Sequence, residues 1–178
     1  MTQYKKTELV LNKVFDAKLS RHLLEGSTVV LHCHHYATLY TQLAMDCALL
    51  DAKSLLAECS EEVWEGFLSN YYKTNGIASL ADRITIGEQV YAAAGLGKMC
   101  VICAGTDSGE VVLEHSHVDE GWIKKWGKSD KPVNLIGAGF IAALFAAVFG
   151  KPQRSFSVIE VQSIVSGAAC SRFSVVAR

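Results

Sequence analysis

The chain is 178 residues long, the size of one ordinary domain, and can bury a substantial core without disulfides or a structural metal. Half of its residues are apolar, 20% are charged and the formal net charge is -1, which argues against a nucleic-acid surface or an acidic interaction tail. Six cysteines at irregular spacing (33, 47, 59, 100, 103 and 170) lie mostly among apolar residues. That pattern excludes a disulfide framework and predicts buried thiols in a reducing, cytoplasmic compartment.

The amino terminus, MTQYKKTELVLNKVFDAKLS, alternates charges with single apolar residues and lacks the continuous apolar core of a signal peptide. The stretch LHCHHYATLY then gathers His32, Cys33, His34 and His35. As a strand it would point His32 and His34 together; as a helix start it would set His32 near His35 and Tyr36. From Tyr36 to about Glu58 the apolar residues Tyr36, Leu39, Tyr40, Leu43, Cys47, Leu50 and Leu55 recur near the helical period, predicting one long helix. Ser60 with Glu61 and Glu62 reads as the cap and first turn of a second helix. A third, from Ser79 to Ala94, ends at Gly95 and Gly97, which supply left-handed backbone.

The pattern changes at Lys98. KMCVICAG and EVVLEHSHV are rich in β-branched residues and joined by the turn-forming TDSG, a hairpin signature. Alternation along the second run places Val111, Leu113, His115 and His117 on one side, so two imidazoles can converge on one metal. Cys100 and Cys103 form the one C-x-x-C, but three apart on a strand they face opposite sides. A short helix carries Trp122 and Trp126, four apart on one ridge, as core cover, a dimer contact or a cavity lid. LIGAGFIAALFAAVFG, bracketed by Pro132 and Pro152, is shorter than the roughly 20 residues that span a bilayer and reads as a buried helix. SFSVIEVQSIV and CSRFSVVA, separated by Ser166-Gly167, make a second hairpin. The sum is a single α+β domain: a helical part over 1–78, then an antiparallel sheet of about four strands covered on one face by helices. No phosphate loop or G-x-S-x-G elbow is present.

Several segments of the second part, 79–178, carry a resemblance. They are AAAGLGK ahead of the first hairpin, SHVDEGWIKKWGKSDKPVN leading into GAGFIAALFAAVFGKP, and the closing EVQSIVSGAACSRF. Together they resemble the 4-vinyl-reductase domain family, which includes small-molecule sensor domains, hydrocarbon-binding proteins and proteins tied to bacteriochlorophyll synthesis. The ending follows the family's Glu-x-x-Cys-x-x-x-Gly-x-x-x-Cys-x-Phe at Glu160, Gly167 and Phe173 but carries Ser163 and Ser171 where the cysteines belong, with Cys170 one place out of register. In the phenol-sensing branch three cysteines and a glutamate hold zinc, and the first of those cysteines falls on Asn134. Hydroxyls and an amide replace thiolates poorly around zinc, so that site is expected to be absent. The resemblance implies a fold similar to certain subunits of the TRAPP vesicle-tethering complex, a homodimer, and an apolar ligand cavity between helices and sheet.

Three functions follow as expectations. The first is binding of a small hydrophobic molecule (a hydrocarbon, an aromatic or a tetrapyrrole) by a sensor or carrier. Its cavity would be lined by Phe140 and Leu144 of the apolar helix, with Trp122, Tyr36 and Tyr40; in that helix, Gly137, Gly139, Ala142, Ala143, Ala146 and Ala147 leave space for a guest or allow tight packing. The second is a metal- or haem-dependent enzyme whose zinc, iron or tetrapyrrole is held by His32, His34 or His35 with His115 and His117, Cys33 adding a thiolate and Asp46, Asp119 or Glu120 orienting a ligand. The third is a scaffold.

Overall fold

The computed structural model describes residues 7–178, and the reading of positions 1–6 lies outside them. Residues 7–12 run against the helices, where Leu9 N donates to Gln89 Oε1 at 2.6 Å and Tyr71 Oη donates to the Val10 carbonyl at 3.0 Å. Three short strands follow, β1 (Lys13–Asp16), β2 (Arg21–Leu24) and β3 (Ser27–Val29), paired antiparallel in the order β1-β2-β3. Glu25 and Gly26 join β2 to β3 with φ of 48° and 80°, the twist that suits a two-residue hairpin turn. The helical character expected over 1–78 thus begins only at His34.

Helices α1 (His34–Asp46) and α2 (Ala52–Thr74) replace the single helix expected over 36–58. The chain turns extended at Cys47 (ψ 110°), and Asp51 restarts the helix by accepting from Ser54 N at 3.2 Å. Ser60, expected as a cap, lies inside α2, where its hydroxyl donates to the Ile136 carbonyl at 2.9 Å. Helix α3 (Leu80–Ala93) starts on Ser79, whose side chain accepts from Asp82 N, and closes through Gly95 at φ 77°. Strands β4 (Gly97–Ala104) and β5 (Ser108–Ser116), helices α4 (His117–Trp126) and α5 (Leu135–Phe149), and strands β6 (Phe156–Gln162) and β7 (Ser171–Ala177) complete the chain. The second sheet is antiparallel with order β4-β5-β7-β6, the two hairpins side by side. The α+β architecture is as expected.

Helix α5 is apolar around its whole circumference because it is covered on all sides, by α2 and α3 and by the sheet. Its small residues serve close packing and also border a cleft of about 280 Å³, where Ala138, Gly139 and Ala142 face Glu58, Glu61 and Arg154. A Cβ on Gly139 would overlap the Ala57 carbonyl, so glycine there lets α2 and α5 close to backbone contact. The space between helix and sheet is filled by Tyr91, Phe140, Leu144, Phe145, Phe156 and Phe173, all under 3% exposed. The space around Phe140 and Leu144 is therefore solid core. Arg154, at φ 69°, is held by Glu61 of α2: its backbone N–H and Nη1 reach the two carboxylate oxygens at 2.7 Å each. All six cysteines are free, and none is fully buried, contrary to expectation; Cys33, Cys59 and Cys103 are exposed. No helix among the described residues is long and apolar enough to cross a membrane.

Candidate functional site

The cavity lies elsewhere, beneath the first sheet. About 690 Å³ is enclosed on one side by Phe15, Leu23 and Leu24 of the meander and by the Val30–His32 link. Trp64 of α2, the Ala93–Leu96 turn after α3, and His117 form the other side. Trp64 connects this wall to the core, its ring 5.1 Å from that of Phe140. The turn and His117 are bonded to each other, since His117 N donates to the Leu96 carbonyl at 2.9 Å.

Local rules place the histidines. Ser116 ends β5 and caps α4, its hydroxyl accepting from Asp119 N at 3.2 Å, so the period-two alternation stops there and His117 becomes the first helical residue. His115 accordingly points away: its side chain is 71% exposed beside Glu120 at 3.6 Å. The expected convergence of His115 with His117 does not occur. Instead α1 is pressed against α4 at Gly121, where an added Cβ would lie 2.7 Å from His34 Cβ and 2.9 Å from Thr38 Cγ2. That contact brings His34 to His117, ring centroids 5.9 Å apart, and His32 stands at 5.9 Å from His117 on the other side. His35 lies 4.4 Å from His34, and Cys33, exposed, begins α1 without a side-chain cap.

This cluster has a distinct electrostatic state. Burial lowers the pKa of His117 below the ordinary imidazole value; His32 and His34 lower it further, and a hydrogen bond to the Cys33 backbone and the charge of Glu120 oppose them. Burial, His35 and Lys124 likewise lower His34. The Nε2 atoms of both rings are buried without a hydrogen-bond partner among the described residues. The pairs of His117 with His32 and with His34 meet edge to face, at 65° and 74°, which does not aim lone pairs at one point. Among the described residues no group of three or more His, Cys, Asp or Glu side chains is arranged to hold a metal.

The five expected ligand contacts lie off this cavity. Phe140 and Leu144 are core, Trp122 packs with Val133 and Val165, and Tyr36 and Tyr40 are exposed on α1. Phe15, Trp64 and Leu96 are the contacts the sequence reading missed; the turn chemistry of Leu24-Glu25-Gly26-Ser27 was the available sign that a hairpin precedes the histidines.

A second polar group lies within the core, where Asn134, Glu160, Ser163 and Ser171 do meet, joined by Asp119 and Ser116. Asn134 Nδ2 donates to Ser116 Oγ at 2.8 Å and Asp119 Oδ2 at 3.0 Å, while its Oδ1 caps α5 by accepting from Gly137 N at 2.9 Å. Ser171 Oγ donates to Asp119 Oδ2 at 3.2 Å and accepts from Ile164 N at 3.0 Å. Asn134 and Ser171 have thus spent their capacity on internal hydrogen bonds, and the group does not fit the zinc of the phenol-sensing branch. Burial, and then the neighbouring Asp119, raise Glu160 to about 7, against the hydrogen bond that its Oε2 accepts from Asn134 N at 3.2 Å. Burial raises Asp119 too. Asp119 Oδ1, Glu160 Oε1 and Ser163 Oγ find no partner among the described residues, and the raised pKa values of Glu160 and Asp119 favour the protonated form in this buried group.

No protein-family model matches the chain, and no curated protein matches it. Solved structures do. The phenol-responsive sensory domain of the transcription activator PoxR, crystallised with phenol, superposes with a TM-score of 0.77 at 15% identity, over 93% of this chain and 84% of that one. Subunit 3 of a trafficking protein particle complex from Naegleria fowleri, covalently bound to palmitic acid, superposes with a TM-score of 0.54 at 11% identity, over 82% of this chain and 94% of that one. At such identities it is the backbone that is alike: the chain has the fold shared by the PoxR sensory domain and the trafficking-complex subunit.

Proposed function

We propose that the chain is a ligand-binding domain of the 4-vinyl-reductase type, taking a small, largely apolar molecule into the cavity beneath the meander and acting as a sensor or carrier. The observation that carries this reading is the cavity of about 690 Å³, walled by Phe15, Leu24, Leu31, Trp64 and Leu96 with few polar groups. Small-molecule sites have this volume and this balance of apolar wall and sparse polar contact. The likeness of fold to a phenol-responsive sensory domain supports the sensory role. Native mass spectrometry of the purified protein, with organic extraction of any bound molecule, tests the reading. A protein that is empty and shows no thermal shift with any apolar ligand refutes it.

The homodimer belongs to the same proposal. Tyr36, Leu39, Tyr40 and Leu43 form an exposed stripe along α1, the kind of apolar face that marks an interaction surface. Sedimentation velocity of the parent and of Leu43→Glu tests it: the parent sediments as a dimer and the variant as a monomer. A parent that is monomeric at every concentration refutes it.

A further inference from the structure

No side chain lining the cavity carries a negative charge. Lys13, His22, His32 and His117 face it, and no aspartate or glutamate does. Behind His117 stands His34, with His35 and Lys124 acting on it in turn; Glu120 is the one carboxylate felt by His117, and it lies beside exposed His115. At the same end α1 begins at Cys33 with no side-chain cap and no acidic residue in its first turn, so the positive end of the helix dipole is left uncompensated. His117 Nε2 and His34 Nε2 are buried and unpartnered among the described residues. Neither atom has surface accessible from the cavity, so the polar head of a ligand there meets the exposed side chains of the wall, Lys13 and His32 among them. The rest of the wall is apolar.

Resting on the ligand-binding reading above, we propose that the natural ligand is an apolar monocarboxylate, with its hydrocarbon or aryl body under the meander and its carboxylate against Lys13 and His32. A carboxylate accepts from imidazole N–H and ammonium donors and meets no like charge on the wall. An amine places its cation near Lys13 with no carboxylate on the wall to pair with it, and an alcohol brings no charge for Lys13 to attract. A single anionic head also leaves the body of the ligand to the aromatic and leucine walls.

Isothermal titration with octanoate, octanol and octylamine, three ligands sharing one body, reads the head group directly. Octanoate is expected to bind about tenfold or more tighter than octanol, the value of one charge-assisted hydrogen bond, with octylamine weakest. Lys13→Met and, separately, His32→Gln reduce octanoate affinity toward that of octanol, and the ratio of octanoate to octanol affinity on each variant separates loss of the head contact from any change in the apolar wall. Octanol or octylamine binding as tightly as octanoate overturns the anionic head and leaves the cavity reading intact. An octanoate preference that survives both substitutions overturns the assignment of the head to these residues. No heat with any of the three, nor with phenol, overturns the cavity reading as well.

Discussion

Glu160→Gln is expected to stabilise the protein in alkaline solution. In the folded chain burial and Asp119 lift the Glu160 carboxyl from 4.5 to about 7, whereas in the unfolded chain it ionises near its ordinary value. Because the folded pKa is the higher one, this group's contribution to stability is fully present below about 4.5, declines between there and about 7, and is lost above. The whole difference amounts to about 3 kcal/mol. Glutamine has the shape of the protonated acid and keeps it at every pH. Its carbonyl can accept from Asn134 N, as Glu160 Oε2 does at 3.2 Å. Its amide then fills the position of Oε1, which has no partner, and donates toward Asp119 or Ser163. The variant therefore matches the parent near about pH 4 and exceeds it by up to about 3 kcal/mol near about pH 8. For a domain of this size that is about 6–12 °C in Tm. Thermal and urea denaturation across this range measures it. A variant less stable than the parent at alkaline pH, or a difference independent of pH, refutes the proton-holding acid pair.

Gly121→Ala is expected to push α1 off α4, because the new methyl meets His34 Cβ and Thr38 Cγ2 inside 3.0 Å; urea denaturation should show a loss of about 1–3 kcal/mol. Glu61→Ala removes the buried carboxylate that grips both the backbone and the guanidinium of Arg154. A loss of about 2 kcal/mol is expected, below the range for fully buried pairs because Arg154 is partly exposed and keeps Glu58 and Glu62, again read by urea denaturation. His115→Ala is expected to leave ligand affinity and stability unchanged within about 0.5 kcal/mol, since its ring is in solvent on the far side of the Ser116 cap; titration calorimetry checks it.

The second half of the fold was legible because its local rules agree with one another: β-branched runs, a TDSG turn, the Gly150 stop and the Ser166-Gly167 link all point to hairpin, helix, hairpin. Asn134, Glu160, Ser163 and Ser171 were brought together by the spacing of the family's ending, and they do meet. The histidine pairing was misjudged where a strand becomes a helix. Ser116-His-Val-Asp is a helix-start pattern, and reading it as such would have ended the alternation before His117. The packing of Phe140 and Leu144 was not legible because small residues in an apolar helix have two meanings. At Gly139 the partner is the Ala57 backbone, 82 positions away in sequence, and only tertiary structure distinguishes close approach from empty space. The break at Cys47 was hidden because the apolar spacing passes through it almost in phase, leaving Asp51 as its one marker.

The meander and the main sheet share no strand. Among the described residues, the hydrogen bonds made by residues 13–30 stay within the meander and its flanking Asn12. Tilting this roof outward therefore breaks no ladder in either sheet, and the barrier to admitting a guest is set by side-chain packing and not by backbone hydrogen bonds. Exchange of guests can then be fast while backbone amides in β4 to β7 remain fully protected.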